Sequence, residues 1–320
     1  MMKDLITILF IIAILTSCSL FGGGGDSRPD IPGKIVFSAK DEAGTSQIFT
    51  MKANGSDVKQ LTHFEVSEGA YQPSWSPDGQ QILFSSCKSG SSIGPALWVI
   101  DADGSNPHLL YKVEGSSRAL EGNHARWSPD GTKVAFDLCL NCQIRTNNDI
   151  YLFDTQSKQV TQLTQDSASD TNPAWSPDGQ RIAFASDRDY VDADTLRFRK
   201  DLYLIDAAGS NLQRLTGTGN VTAPRWSPNG KIIAFEWNIQ GNEVFIYDLA
   251  GRQIQKIETG FQFAGNPLWN KDGNQLLIFG RVTEQSKPEA RLINIESGSV
   301  KIIHKITLDK IGRNYDWYND

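Results

Sequence analysis

The side chains best placed for covalent chemistry are the cysteines, and their spacing is regular. Cys87 lies twelve residues after Trp75, Cys139 lies twelve after Trp127, and Cys142 completes a Cys-x-x-Cys with Cys139. In an oxidising compartment such thiols form a disulfide, either from Cys87 to one of the pair or from Cys139 to Cys142, and the sequence does not choose between them. Zinc is not expected, because no second Cys or His pair has metal spacing and His63, His108, His124 and His304 are scattered. Gly90-Ser-Ser92-Ile-Gly94 matches G-x-S-x-G, but a nucleophile elbow requires a helix to follow and none is encoded there. Asp101-Ala-Asp103-Gly104-Ser-Asn106 starts like a calcium loop and lacks the Glu twelve residues from its first ligand. Glu65, Glu68, Asp166, Asp170 and Asp189 are carboxylates of the kind that cleave glycans, yet no spacing selects a pair. The expectation is therefore no cofactor, no metal, no catalytic residue, and a chain that is not an enzyme.

Two further groups suit binding rather than catalysis. Three residues before successive tryptophans stand Gln72, His124, Asn172, Ala223, Asn266 and Asn314, five of them polar. The segment 187–200 carries Arg188, Tyr190, Arg197, Phe198 and Arg199 among acidic residues, a mixture enriched where proteins meet proteins.

What must position these residues is a repeat. Pro73-Ser-Trp75-Ser-Pro77-Asp78-Gly79 precedes the apolar Ile82-Leu83-Phe84, and the same unit returns around Trp127, Trp175, Trp226 and Trp269. Pro presets φ at the first central position of such a turn, and Gly after Asp accepts positive φ. Two further strand-like runs follow each hairpin, as in Asp149-Ile-Tyr-Leu-Phe153 and then Leu163-Thr164. Four short antiparallel strands every ~40–50 residues predict the blade of a β-propeller.

The first repeat, from Lys34, lacks its Trp arm, while the C-terminal Asn314-Tyr-Asp-Trp317 resembles an arm without its repeat. The sequence therefore predicts an all-β, six-bladed propeller over residues 33–320 whose C-terminal strand becomes the innermost strand of the N-terminal blade. First strands line the channel, so the polar set from Gln72 to Asn314 is expected around its mouth. Connections between first and second strands and between third and fourth strands are uniformly short. Length varies on the opposite face, where the 187–200 segment lies.

Ahead of the repeat, Met1 to Ser17 has one lysine near its start and an apolar stretch too short to span a bilayer, the pattern of an export signal over residues 1–17. Leu15-Thr-Ser-Cys18 resembles the bacterial lipobox. That resemblance implies lipidation of Cys18 and, with Ser19 next, the outer membrane if the source has two membranes. Residues 18–32, rich in Gly and then Pro, read as a tether.

The Trp-Ser-Pro-Asp-Gly units, Ser186-Asp-Arg-Asp189 after a second strand, and the Asp-x-Asp-Gly-Ser-Asn turn resemble the propeller repeat of the TolB family over essentially all of 33–320. The family's α/β domain, which precedes its propeller, has no counterpart before Lys34. A net charge of −6 without a basic run argues against nucleic acid. The expectation is a monomeric, lipid-anchored, non-catalytic envelope protein that binds another protein with its variable face. The alternative is a propeller lyase or glycosidase acting on extracellular polysaccharide.

Overall fold

A computed structural model describes residues 31–65, 68–88, 96–112, 124–139, 147–190, 199–217, 219–238, 241–303 and 311–318, with backbone only at 87–88, 303 and 311–314. The leader, Cys18 and most of the tether lie outside these residues. Among the described residues every regular element is a strand, and the strands form six antiparallel sheets of four.

Blade 1 has the order Ile311–Tyr318, Lys34–Lys40, Ser46–Lys52, Lys59–Gln60. The C-terminal strand pairs antiparallel with Lys34–Lys40, placing Trp317 opposite Ile35 and Tyr318 opposite Lys34. Blades 2 to 6 follow in chain order from the first strands Glu68–Trp75, Arg126–Trp127, Asp170–Trp175, Val221–Trp226 and Phe263–Trp269. The predicted six blades and their closure are both present.

Six apolar clusters lie one in each gap between neighbouring blades. Ile82 and Phe84 pack toward blade 1 with Ile48 and Trp75, whereas Leu83, between them, packs toward blade 3 with Phe136. Period-2 alternation thus sends a second strand to two clusters at once. The remaining gaps are filled around Trp175 and Phe184, Trp226 and Phe235, Trp269 and Leu276, and Trp317 with Phe37 and Phe279. Each tryptophan packs on the preceding blade. About 290 residues can then fold without one oversized core.

The Ser-Pro-Asp-Gly turn closes on its own side chains. The Ser76 hydroxyl donates to Asp78 Oδ1 (2.6 Å) and accepts the Gln81 N–H (2.9 Å), while Asp78 Oδ1 also accepts the Gln80 N–H (3.0 Å). The Ser76 hydroxyl and then the Gln80 N–H hold the Asp78 carboxyl below the usual range. The Ser128, Ser176 and Ser227 hydroxyls repeat the contact with Asp130, Asp178 and Asn229. Gly79 sits at φ 66°, which a side chain rarely adopts. The Leu-Thr signature is equally structural: the hydroxyls of Thr62, Thr164 and Thr216 accept the N–H of Ile48, Ile150 and Leu202 at 2.8–2.9 Å and extend the ladder past the fourth strand.

Candidate functional site

The polar set at the channel mouth is first a backbone feature. Gln72, Asn172, Ala223 and Asn266 have φ of 54°, 59°, 50° and 45°. Each lies at a register shift in its first strand, between Tyr71 and Ser74, Thr171 and Ala174, Thr222 and Arg225, or Gly265 and Leu268. These are β-bulges with a left-handed residue, a conformation Asn tolerates better than most residues. Ala223 shares the geometry without a polar group, so the conformation unites the set.

The side chains then bond from blade to blade. Gln72 Nε2 is 3.2 Å from His124 Nε2. The Thr222 hydroxyl donates to Asn172 Oδ1 at 3.0 Å, and the Asn266 N–H donates to Glu236 Oε1. Fully buried Asp137 accepts both the His124 N–H (2.9 Å) and a contact from His124 Nδ1 (3.0 Å), with Asn148 Nδ2 on its other oxygen at 3.2 Å. Asn242 Nδ2 supports Glu236 at 3.1 Å. The structure brings together the predicted Gln72 and His124. Asn172 and Asn266 bind their neighbours instead, and the side chain of Asn314 lies outside the described residues. Exposed Tyr71 stands beside this mouth, at the loop-face end of its strand.

One layer deeper, sequence analysis missed the residue before each tryptophan. Around the ring these are Asp316, Ser74, Arg126, Ala174, Arg225 and Leu268. Arg126 donates from Nη1 to its neighbour's carbonyl, Ala125 O, at 2.9 Å. Among the described residues neither Arg126 Nε nor Arg225 Nε has a partner. Burial first, then Arg225, pushes the Arg126 guanidinium down to about 9, while Asp316 and Asp137 oppose the shift. Arg225 is likewise lowered by burial.

The variable face carries a second cluster, between blades 3 and 4. Arg188, expected at a partner surface, is turned inward and is only 14% exposed at its side chain. Its Nη2 donates to both Asp170 oxygens (3.0 and 2.8 Å), its Nη1 pairs with Asp166 (3.2 Å) and its Nε donates to Ser186 Oγ (2.9 Å), with Phe184 and Tyr203 flanking the guanidinium. Lys200 Nζ donates to Ser169 Oγ and Thr171 Oγ1 at 3.0 and 2.8 Å, and burial lowers its pKa. In blade 4, fully buried Asp201 receives Arg214 Nε (3.0 Å), Thr216 Oγ1 (2.9 Å) and the Gly219 N–H (2.9 Å). Arg214 continues to Asp189 at 2.9 Å and stacks on Tyr190.

Blade 3 holds the corresponding carboxyl, Asp149, with less support. Gln162 takes the place of Arg214 and donates at 2.9 Å. Desolvation first, then the charge of Asp170, pushes Asp149 up to about 6, whereas the hydrogen bonds around Asp201 bring its pKa below the usual carboxylate value despite burial. No sequence spacing had selected Asp149.

The other expectations are placed as follows. Cys139 is buried and disulfide-bonded, while the side chain of Cys87 and all of Cys142 lie outside the described residues. So do Arg197, Phe198 and the Gly90–Gly94 motif. Arg199 is exposed. The Asp101 turn is held by Asn106 Nδ2 on Asp101 Oδ2 at 2.6 Å, and Asn211 repeats this on Asp206. Among the described residues no three His, Cys, Asp or Glu side chains gather as metal ligands.

With this geometry in hand, residues 112–216 match the family model described as the TolB β-propeller domain. The chain is 27% identical over 208 residues to an uncharacterised protein of Agrobacterium fabrum, covering 62% of this chain and 64% of that one. It is 26% identical over 188 residues to an uncharacterised peptidase of Bacillus subtilis (55% and 25% covered). It is 28% identical over 156 residues to a TolB homologue of Chlorobium chlorochromatii (48% and 31% covered). It thus spans less than two thirds of each of these relatives. Among solved structures, TolB of Acinetobacter baumannii superposes with TM-score 0.69 at 19% identity, covering 91% of this chain and 68% of that one. An oligogalacturonate lyase in complex with manganese gives TM-score 0.60 at 16% identity (84% and 73% covered). A puromycin-hydrolysing peptidase of Mycobacterium tuberculosis gives 0.61 at 13% (87% and 44% covered). These last matches and the Bacillus peptidase overturn the expectation that the chain is not an enzyme. The same propeller occurs in proteins named for lyase and peptidase activity, so the fold is compatible with catalysis.

Proposed function

We propose that this β-propeller, whose residues 112–216 match the TolB β-propeller domain, works in the cell envelope, anchored through a lipid on Cys18, and binds a protein partner with its variable-loop face. The observation that carries this reading is the asymmetry of the two faces. One is a set of near-identical self-closed turns. The other gathers every connection of unequal length above a rigid, internally bonded base of Arg188, Asp170, Asp201 and Arg214. Exposed Arg199 and Tyr71 lie on that side, and aromatic and arginine side chains dominate the energetics of protein contacts. A photo-crosslinking residue placed at position 199 in intact envelopes is expected to trap a protein that the same residue at position 78, on the turn face, does not. Equal capture from both positions, or none from position 199, removes the reading.

A second reading, cleavage of an extracellular glycan, is supported by Asp149. A carboxyl pushed up to about 6 by burial and then by the charge of Asp170 has the proton affinity of a general acid. On that reading polyuronide cleavage by the full chain falls as pH rises through about 6, and Asp149→Asn abolishes it. Activity unchanged in that variant removes Asp149 from the chemistry.

A further inference from the structure

Beyond its loop face, the molecule has an unusual channel floor. The residue preceding the tryptophan is charged in blades 1, 3 and 5 (Asp316, Arg126, Arg225) and uncharged in blades 2, 4 and 6 (Ser74, Ala174, Leu268). First strands of alternate blades line one channel, so charges at this level converge on the same axis. Asp316 does not neutralise the arginines by direct contact. Its Oδ2 is occupied by the Ser74 hydroxyl (3.2 Å) and the Trp75 N–H (3.0 Å), and among the described residues neither guanidinium forms a salt bridge.

Two like charges that converge on one axis, each with an Nε that has no partner among the described residues, are costly unless an anion meets them. Guanidinium forks select oxygen anions, which accept two parallel N–H bonds. A layer above, Gln72 is 8% exposed and its Oε1 has no partner among the described residues. That oxygen is an unmatched acceptor on a first strand of the ring, and a hydroxyl or protonated oxygen on a ligand would match it. We propose that the central channel binds a small oxyanion, a carboxylate or phosphoryl group, bridged between Arg126 and Arg225 with Gln72 above it. The site lies inside the ring and does not depend on the partner surface.

The experiment is calorimetric titration of the full chain at pH 7 with inorganic phosphate and, separately, malonate, against chloride at matched ionic strength. One saturable site is expected. Affinity should fall at least about tenfold in Arg126→Met and in Arg225→Met, and less in Arg126→Lys, which keeps charge but loses the fork. Stronger binding of phosphate assigns a phosphoryl ligand, and stronger binding of malonate a carboxylate. Should neither anion bind the unaltered protein above the chloride control, the site does not exist. Equal affinity in the double Met variant, with circular dichroism showing it folded, overturns the proposal equally.

Discussion

The gaps between blades 3 and 4, 4 and 5, and 5 and 6 are joined differently from the gap between blades 1 and 2. In the first three, the indole N–H of Trp175, Trp226 and Trp269 donates to the carbonyl preceding the neighbouring tryptophan, Arg126 O, Ala174 O and Arg225 O, at 3.1–3.2 Å. Gly179, Gly230 and Gly273 rest on Pro129, Pro177 and Pro228 of the previous turn. Where the C-terminal strand meets blade 2, the indole of Trp75 has no partner among the described residues. The Asp316 carboxylate instead takes the Trp75 N–H, and the Tyr318 ring covers Gly79, tilts against Trp75 at 5.9 Å and donates to Asp78 O at 3.2 Å. Blades 3 to 6 are joined by a repeated backbone-directed bond, which the gap between blades 2 and 3 lacks, since the Trp127 indole N–H has no partner among the described residues. The gap lined by the returning chain end is joined by side chains that occur once.

Removing residues 311–320 tests the closing arrangement most severely. It deletes an entire inner strand together with buried Tyr315 and Trp317, and cooperative thermal unfolding is expected to disappear or Tm to fall by well over 10 °C. An unchanged melting curve would refute the closure. Next in size, Asp316→Ala leaves the buried Trp75 N–H unmatched and should cost about 2–3 kcal/mol in urea unfolding. Trp175→Phe, which loses its bond to Arg126 O, should cost about 1 kcal/mol more than Trp75→Phe, which has none to lose. Equal costs would mean that the two kinds of gap do not differ energetically.

A pH-dependent effect separates the sister carboxyls of blades 3 and 4. Asp149 has its folded pKa raised to about 6 from 3.8, so its ionisation opposes folding and the loss develops as pH rises from about 4 to 6. Asp201 is shifted downward, so its contribution is present above about 4 and is lost as pH falls through its folded pKa. Asp149→Asn should therefore stabilise the protein by about 1–2 kcal/mol at pH 7.5, after allowance for partial exposure, and by nothing near pH 4. Chemical denaturation at the two pH values reads this directly. A gain of equal size at both would deny the titration.

Fold and closure were legible because tryptophan and the Ser-Pro-Asp-Gly turn mark each blade, and because Trp317 kept the spacing after the strands that follow it had run out. The mouth was legible in position and not in role. Gln72, Asn172 and Asn266 looked like offered amides, although Ala223 in the same column already indicated a conformational requirement. Arg188 looked like a contact residue because nothing in 187–200 says that its partners are Asp166 and Asp170, some twenty residues earlier. Arg126 and Arg225 escaped notice since a residue beside a tryptophan carries no motif, and only the ring brings alternate blades to one channel.

The pairing of Ile311–Tyr318 with Lys34–Lys40 also fixes an order of events during biosynthesis. The inner edge of the N-terminal sheet waits, with its N–H and C=O groups unclaimed, until translation has delivered the last residues, and such an edge invites pairing with other chains. The nascent polypeptide therefore needs protection until Ile311–Tyr318 has emerged, and that strand is what ends the need.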